Sequence, residues 1–176
     1  MTAVDMPGAD VHLPIVKTLH WSAEAATESF ACALAALPET HLAYIELMGD
    51  LGAGKTTFVR HLLRALGVQG RIKSPTYAVV EPYELPGLNI WHFDFYRFSD
   101  PREWADAGFR DIFASPGLKL AEWPDKAAAC LPVADLVVQL VVADDASRQV
   151  CLSARTPLGA GLLSALMPKQ PNGVTP

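Results

Sequence analysis

The chain has 176 residues, 51% of them hydrophobic, and a formal net charge of -5 at pH 7. Its length and apolar content suit one domain with one core, and its acidic balance argues against a protein that grips RNA or DNA unaided. Cys32, Cys130 and Cys151 are far apart and form no C-x-x-C pair, so neither a disulfide framework nor a zinc site is expected, and without a leader pattern or a run of about 18 apolar residues the protein is expected to be cytoplasmic and free of the membrane.

In chain order, residues 1–10 read as a disordered tail, 11–167 as the domain and 168–176 as a flexible tail. Val11 to Trp21 can supply a short edge strand despite Pro14. Ser22 then reads as the cap of an amphipathic helix carrying Ala25, Ala26, Phe30, Ala33, Leu34 and Leu37, which ends before Pro38. The apolar run Leu42 to Met48 reads as a buried strand. Phe58, Val59, Leu62, Leu63 and Leu66 recur at helical spacing beyond it. Gly67 to Lys73 is a loop. Tyr77 to Tyr83 and Leu88 to Phe95, joined by Glu84-Leu85-Pro86-Gly87 as a turn, read as a hairpin. Pro101 to Phe113 is expected to be helical with a break near Gly108. Leu118 to Trp123 is another strand after Pro116-Gly117, and Pro124 to Leu131 is a short loop or helix. Asp135 to Val142 and Arg148 to Ala154 form a second hairpin, and Leu158 to Met167 a last helix. Strands that alternate first with helices and then with hairpins predict an α/β fold: a single domain with a mixed central sheet, β-hairpins and flanking helices.

Between the Leu42 to Met48 strand and the helix that follows lies Gly49-Asp50-Leu51-Gly52-Ala53-Gly54-Lys55-Thr56, with Thr57 after it. It fits G-x-x-x-x-G-K-[ST] without a mismatch, in the strand-loop-helix context the motif requires. In a chain of this length such a match arises by chance about one time in two hundred, so a phosphate-binding loop is the stronger reading. The glycines let successive backbone N–H groups face phosphate oxygens, at a helix N-terminus whose dipole favours anions. Lys55 would reach the β- and γ-phosphates, and the Thr56 hydroxyl would take one place on Mg2+.

A nucleoside triphosphatase needs a further acid on the metal side, usually at the end of a neighbouring strand. Asp94, after Leu88 to Phe93, and Glu122, after Leu118 to Ala121, both qualify. One can bind Mg2+ directly while the other acts through water or orients the nucleophile, and spacing does not say which. The plainer alternative is a strand-end acid in a surface ion pair with Arg97 or Arg110. His92 reads as a strand histidine packed beside Trp91. Ser74 and Thr76 read either as turn residues around Pro75 or as hydroxyls of a switch segment sensing the γ-phosphate. Tyr77, Tyr83, Trp91, Tyr96, Trp104 and Trp123 read as core or interface, and none is assigned to the base.

Four ordered motifs then resemble one family: Met48 to Phe58 (MGDLGAGKTTF), Lys73 to Tyr77 (KSPTY) leading into Val80-Glu81-Pro82-Tyr83, His92 to Arg97 (HFDFYR), and Glu122-Trp123-Pro124 followed by Leu131-Pro132. Over roughly Ser22 to Ala154 the chain resembles the TsaE family, bacterial P-loop ATPases required to form N6-threonylcarbamoyladenosine at position 37 of ANN-decoding tRNAs. The resemblance implies ATP and Mg2+ as cofactors, with Lys55 and Thr56 on phosphate and metal. It implies Glu122 as the metal-side acid, Asp94 as a residue needed for hydrolysis, and Ser74 and Thr76 in a switch-like segment. It also implies TsaD and TsaB as partners, with tRNA met only through that complex and ATP hydrolysis driving or resetting it. The ends of the chain depart from the family. Two other readings share the loop. A small-molecule or nucleoside kinase usually carries an arginine-rich lid, and here Arg97, Arg102 and Arg110 are scattered. A nucleotide-dependent switch reading guanine would carry N-K-x-D, but Asn89 and Asn172 are followed by Ile90 and Gly173.

Overall fold

Residues 15–167 are described by the structure, a computed structural model. The tails expected at 1–10 and 168–176, and the start of the strand expected from Val11, lie outside the described residues. The elements are β1 (Ile15–Trp21), α1 (Glu24–Ala35), β2 (Tyr44–Met48), α2 (Lys55–Ala65), β3 (Val80–Leu85), β4 (Leu88–Asp94), α3 (Pro101–Asp106), α4 (Phe109–Ala114), β5 (Leu118–Glu122), β6 (Leu136–Val142), β7 (Arg148–Ala154) and α5 (Pro157–Leu166). Short 3-10 turns cover Pro38–Leu42 and Pro124–Ala127.

One seven-stranded mixed sheet runs in the order β1-β7-β6-β2-β5-β4-β3. Its centre is parallel, with β2 between β5 and β6 and β4 beside β5. Both edges are antiparallel, closed by β1 on β7 and by the β3–β4 hairpin. The continuous apolar runs take the central places because a parallel strand is covered on both faces; all of β5 is buried. β1, with several exposed positions, takes an edge.

Strand alternation sorts the core into two layers. Ile45, Leu47, Leu118, Leu120, Leu136 and Val138 face the helical layer, where Phe30 of α1, Phe58 and Leu62 of α2 and Leu162 of α5 meet them. Trp21 completes this layer, its ring 5.3 Å from Phe30 and 6.2 Å from Phe58. Tyr44, Phe93, Phe95 and Ala121 face the other way, onto Trp104 of α3 and Phe109 of α4. Leu62 and Phe58 are fully buried, and truncating such a residue to alanine costs about 2–5 kcal/mol.

Two local expectations need correction. Ser22 does not cap α1: the N-cap position is Ala23, which makes no side-chain capping bond, so docking on the core sustains α1 rather than a cap. The strand expected over Tyr77 to Tyr83 begins only at Val80 and runs on through Glu84 and Leu85, which pair with Asn89 and Leu88 rather than forming the turn. Val79 has a φ of 68° and its N–H donates to the Pro75 carbonyl at 2.7 Å, so the chain turns here before it can pair. The break between α3 and α4 falls at Gly108, whose φ of 71° suits glycine.

Candidate functional site

The loop between β2 and α2 starts at Gly49, where φ is 140° and an added Cβ would collide with the Leu140 carbonyl oxygen. It ends at Gly54, the N-cap of α2, where φ is 109°. Only glycine meets both conditions without strain. Lys55 opens α2 and is 4% exposed. Its ammonium donates to the carbonyls of Gly49 at 2.5 Å and Asp50 at 2.8 Å, and lies 3.9 Å from the Trp123 ring centroid. Burial pulls its pKa below the ordinary value, opposed by the negative charges of Glu122, Asp94, Asp50 and Asp125.

Period-2 alternation on β4 and β5 turns Ile90, His92 and Asp94, and Leu118, Leu120 and Glu122, toward α2. The stripe is apolar at its base and polar at the C-terminal ends, where Asp94 stands in register beside Glu122. Adjacent strands lie about 4.8 Å apart, so two carboxylates end side by side. Each has its own partners. The Thr56 hydroxyl is 2.9 Å from both Glu122 oxygens, and His92 Nε2 is 2.8 Å from Glu122 Oε1. Ser74 and Thr76 hydroxyls both donate to Asp94 Oδ2, Thr76 at 2.9 Å, and the Tyr96 N–H donates to Oδ1 at 2.9 Å. The Asp94 N–H also donates to the Val79 carbonyl at 2.8 Å, so segment 74–79 is tied to Asp94 through side chains and backbone.

Lys55, Thr56, Ser74, Thr76, Asp94 and Glu122 line a cleft of about 310 Å³ together with Gly52, Thr57, Tyr96 and Trp123. Leu51, 81% exposed, stands at its rim, and Ala53 is buried beneath the loop. Thr57 also borders a smaller depression of about 110 Å³ on the other side of the loop, lined by Trp21, Glu24, Thr27 and Arg148. Arg148 reaches the loop directly, its Nε–H donating to the Ala53 carbonyl at 2.8 Å.

Surface ion pairing does not account for the acids. Asp94 is 3% exposed and Glu122 2%. Arg97 instead stacks on Tyr77 at 4.3 Å, Arg102 pairs with Asp100, and Arg110 lines an apolar groove beside Trp104. These three arginines therefore form no lid. Asn89 lies near the N-terminal end of β4, away from the cleft; Asn172 is outside the described residues.

The donor set suits Mg2+. A threonine hydroxyl and carboxylates are hard oxygens, and Mg2+ is usually held by one or two protein carboxylates with phosphates and water completing the shell.

Spacing alone passed over three contributors. His92 was expected only to pack, yet the H-x-D spacing on a strand puts it on the Asp94 face. Trp123, with a φ of 57°, stands in the Glu122-Trp123-Pro124 motif but reads from the sequence only as core or interface, and no motif includes Arg148.

The family model for threonylcarbamoyl adenosine biosynthesis protein TsaE matches residues 21–150. A Haemophilus influenzae protein named tRNA threonylcarbamoyladenosine biosynthesis protein TsaE is 47% identical over 121 residues, 69% of this chain and 76% of the relative. A Bacillus subtilis protein of the same name is 34% identical over 110 residues, 62% of this chain and 68% of the relative. The crystal structure of Bacillus subtilis YdiB superposes with a TM-score of 0.72 at 25% identity, covering 88% of this chain and 96% of that one.

Proposed function

The chain belongs to the TsaE family, and on that premise we propose that it serves tRNA threonylcarbamoyladenosine biosynthesis as a Mg2+-dependent ATPase coupled to TsaD and TsaB. The observation that carries this reading is the convergence on one cleft of the loop lysine, the Thr56–Glu122 pair and the Asp94 carboxylate held by Ser74 and Thr76.

In this reading the backbone N–H groups of Gly52 to Thr57 receive the phosphates. Lys55 leaves the Gly49 and Asp50 carbonyls for the β- and γ-phosphate oxygens, where its charge is better matched. Thr56 and Glu122 would hold Mg2+, whose charge would offset the negative charge of the phosphates. Thr56 can give its hydrogen to Glu122 and still present oxygen lone pairs to a cation. Asp94 orients the attacking water, and Ser74 and Thr76 report the occupant of the γ-position through the same carboxylate. The nucleoside extends past Thr57 into the depression of Trp21, Thr27 and Arg148. With the arginines engaged elsewhere, water is a better acceptor than a second substrate under a lid.

Equilibrium binding of ATP with and without Mg2+, and phosphate release with and without TsaD and TsaB, test this reading. Slow release that rises with the partners is expected, together with loss of most phosphate affinity in Lys55→Ala. Fast release unchanged by the partners would overturn the coupling. Unaltered ATP binding by Lys55→Ala would overturn the loop assignment.

A further inference from the structure

His92 sits where the strand pattern asks for an apolar residue. It is fully buried, follows Ile90 on the α2 face of β4, and stands in register with Leu120 of β5. An imidazole in such a place costs desolvation that a leucine would avoid, unless its polar atoms are used. One of them is: Nε2 lies 2.8 Å from Glu122 Oε1. The other, Nδ1, has no hydrogen-bond partner among the described residues.

That asymmetry identifies the tautomer. An ionised carboxylate only accepts, so the bond requires the hydrogen on Nε2. A hydrogen on Nδ1 would be buried without an acceptor, which costs more than a buried lone pair. The ring therefore aims its Nε2–H at Glu122.

Glu122 needs this hold. Its flexible side chain ends in the same cleft as the Lys55 ammonium, and without a second donor it is free to swing toward that charge. Thr56 alone does not fix it, because the hydroxyl is equally near both oxygens. The His92 N–H distinguishes the two, engaging Oε1 and leaving Oε2 with Thr56 as its partner.

We propose that His92 is a positioning residue: by donating to Oε1 it fixes the Glu122 carboxylate beside the Thr56 hydroxyl, the pair that would hold a divalent cation. The inference rests on the Mg2+·nucleotide reading of the cleft. Groups that orient metal ligands in this way typically change metal affinity by about 10–100-fold when removed.

The experiment is equilibrium binding of ATP to the full chain, in EDTA and across a Mg2+ series, for the parent, His92→Leu, His92→Gln and His92→Asn. Glutamine places an amide N–H near the position of Nε2, whereas asparagine falls short of it. His92→Leu and His92→Asn should raise the Mg2+ midpoint by about 10-fold or more while ATP affinity in EDTA stays at the parental level. His92→Gln should bring the midpoint most of the way back. The asparagine and glutamine pair keeps the test decisive if the leucine variant fails to fold. Equal midpoints for Gln and Asn, or loss of EDTA affinity in step with the Mg2+ effect, would reduce His92 to packing and overturn the inference. A parent whose ATP binding ignores Mg2+ would instead overturn the metal reading beneath it.

Discussion

Asp94 and Glu122 end neighbouring parallel strands in register and are almost equally buried, yet they are held by opposite kinds of structure. Glu122 is gripped by regular elements, His92 of β4 and Thr56 of α2. Asp94 is gripped by a loop, through Ser74, Thr76 and the backbone of Val79. Val79, with its positive φ, is the kind of non-glycine outlier that persists only when its surroundings over-determine it. A carboxylate fixed by helix and strand suits a ligand that must be in place before the reaction. One fixed by a loop suits a group whose environment changes with the occupant of the γ-position. Burial and register are shared, so in the proposed reading the difference in tethering is what would separate the two roles.

The largest expected effect is that of Asp94→Asn. The amide keeps the shape, and the Ser74 and Thr76 hydroxyls can turn to accept from it. Nucleotide affinity should therefore persist while single-turnover hydrolysis falls by about 10²–10⁴-fold, the range of a lost acid–base or water-orienting group. Glu122→Ala should act earlier. It should weaken Mg2+-dependent ATP binding by roughly 100-fold, the upper end of what residues behind a ligand contribute, and hydrolysis at limiting Mg2+ should fall with it. Titrating Mg2+·ATP and following one turnover in both variants separates the acids. Equal losses of affinity would show that the two carboxylates share one task.

A milder change probes the tether alone. Thr76→Val removes one of two hydroxyls on Asp94 Oδ2 and should free segment 74–79 by about 1.5 kcal/mol, the low end for a bond to a charged group. Amide exchange at Val79 and Asp94 should quicken, with exchange in β5 unchanged. Faster exchange around Glu122 as well would mean that the site opens as one unit.

How legible these two sides were in the sequence follows from the same difference. The loop, Lys55, Thr56 and both strand-end acids could be read because each sits at a fixed offset from an apolar run, and the mixed sheet followed from the order of those runs. The role of segment 74–79 depends on Val79 turning left-handed, which nothing in valine announces. Arg148 reaches Ala53 from 95 residues away in sequence, a contact that only the β6–β7 hairpin lying beside β2 creates. His92 was half visible: its spacing to Asp94 gave the face but not the partner, because Glu122 comes from a strand whose neighbour the sequence does not name.

Glu46 offers the smallest effect and separates burial from site chemistry. It is a third buried carboxylate of the same sheet, on β2, turned to the face opposite α2. Its Oε1 accepts the Tyr44 hydroxyl at 3.0 Å, and the Arg155 guanidinium stands 4.0 Å from Oε2. Burial raises its pKa above the ordinary 4.5, with the Tyr44 bond and Arg155 pulling the other way. The folded chain thus holds this proton more tightly than the unfolded chain does. Its stabilising contribution is fully present below pH 4.5 and is lost as pH rises through the raised folded value. Glu46→Gln keeps an acceptor for Tyr44 and removes the titration. The variant should melt above the parent at pH 8, and its advantage should shrink toward pH 4.5. Mg2+·ATP binding should stay at the parental level, since Glu46 lies outside the cleft. A loss of binding in Glu46→Gln would mean that burying a carboxylate in this sheet, rather than its place at a strand end facing Lys55, tunes the nucleotide site, and the distinction between Asp94 and Glu122 would then need to be sought in the sheet as a whole.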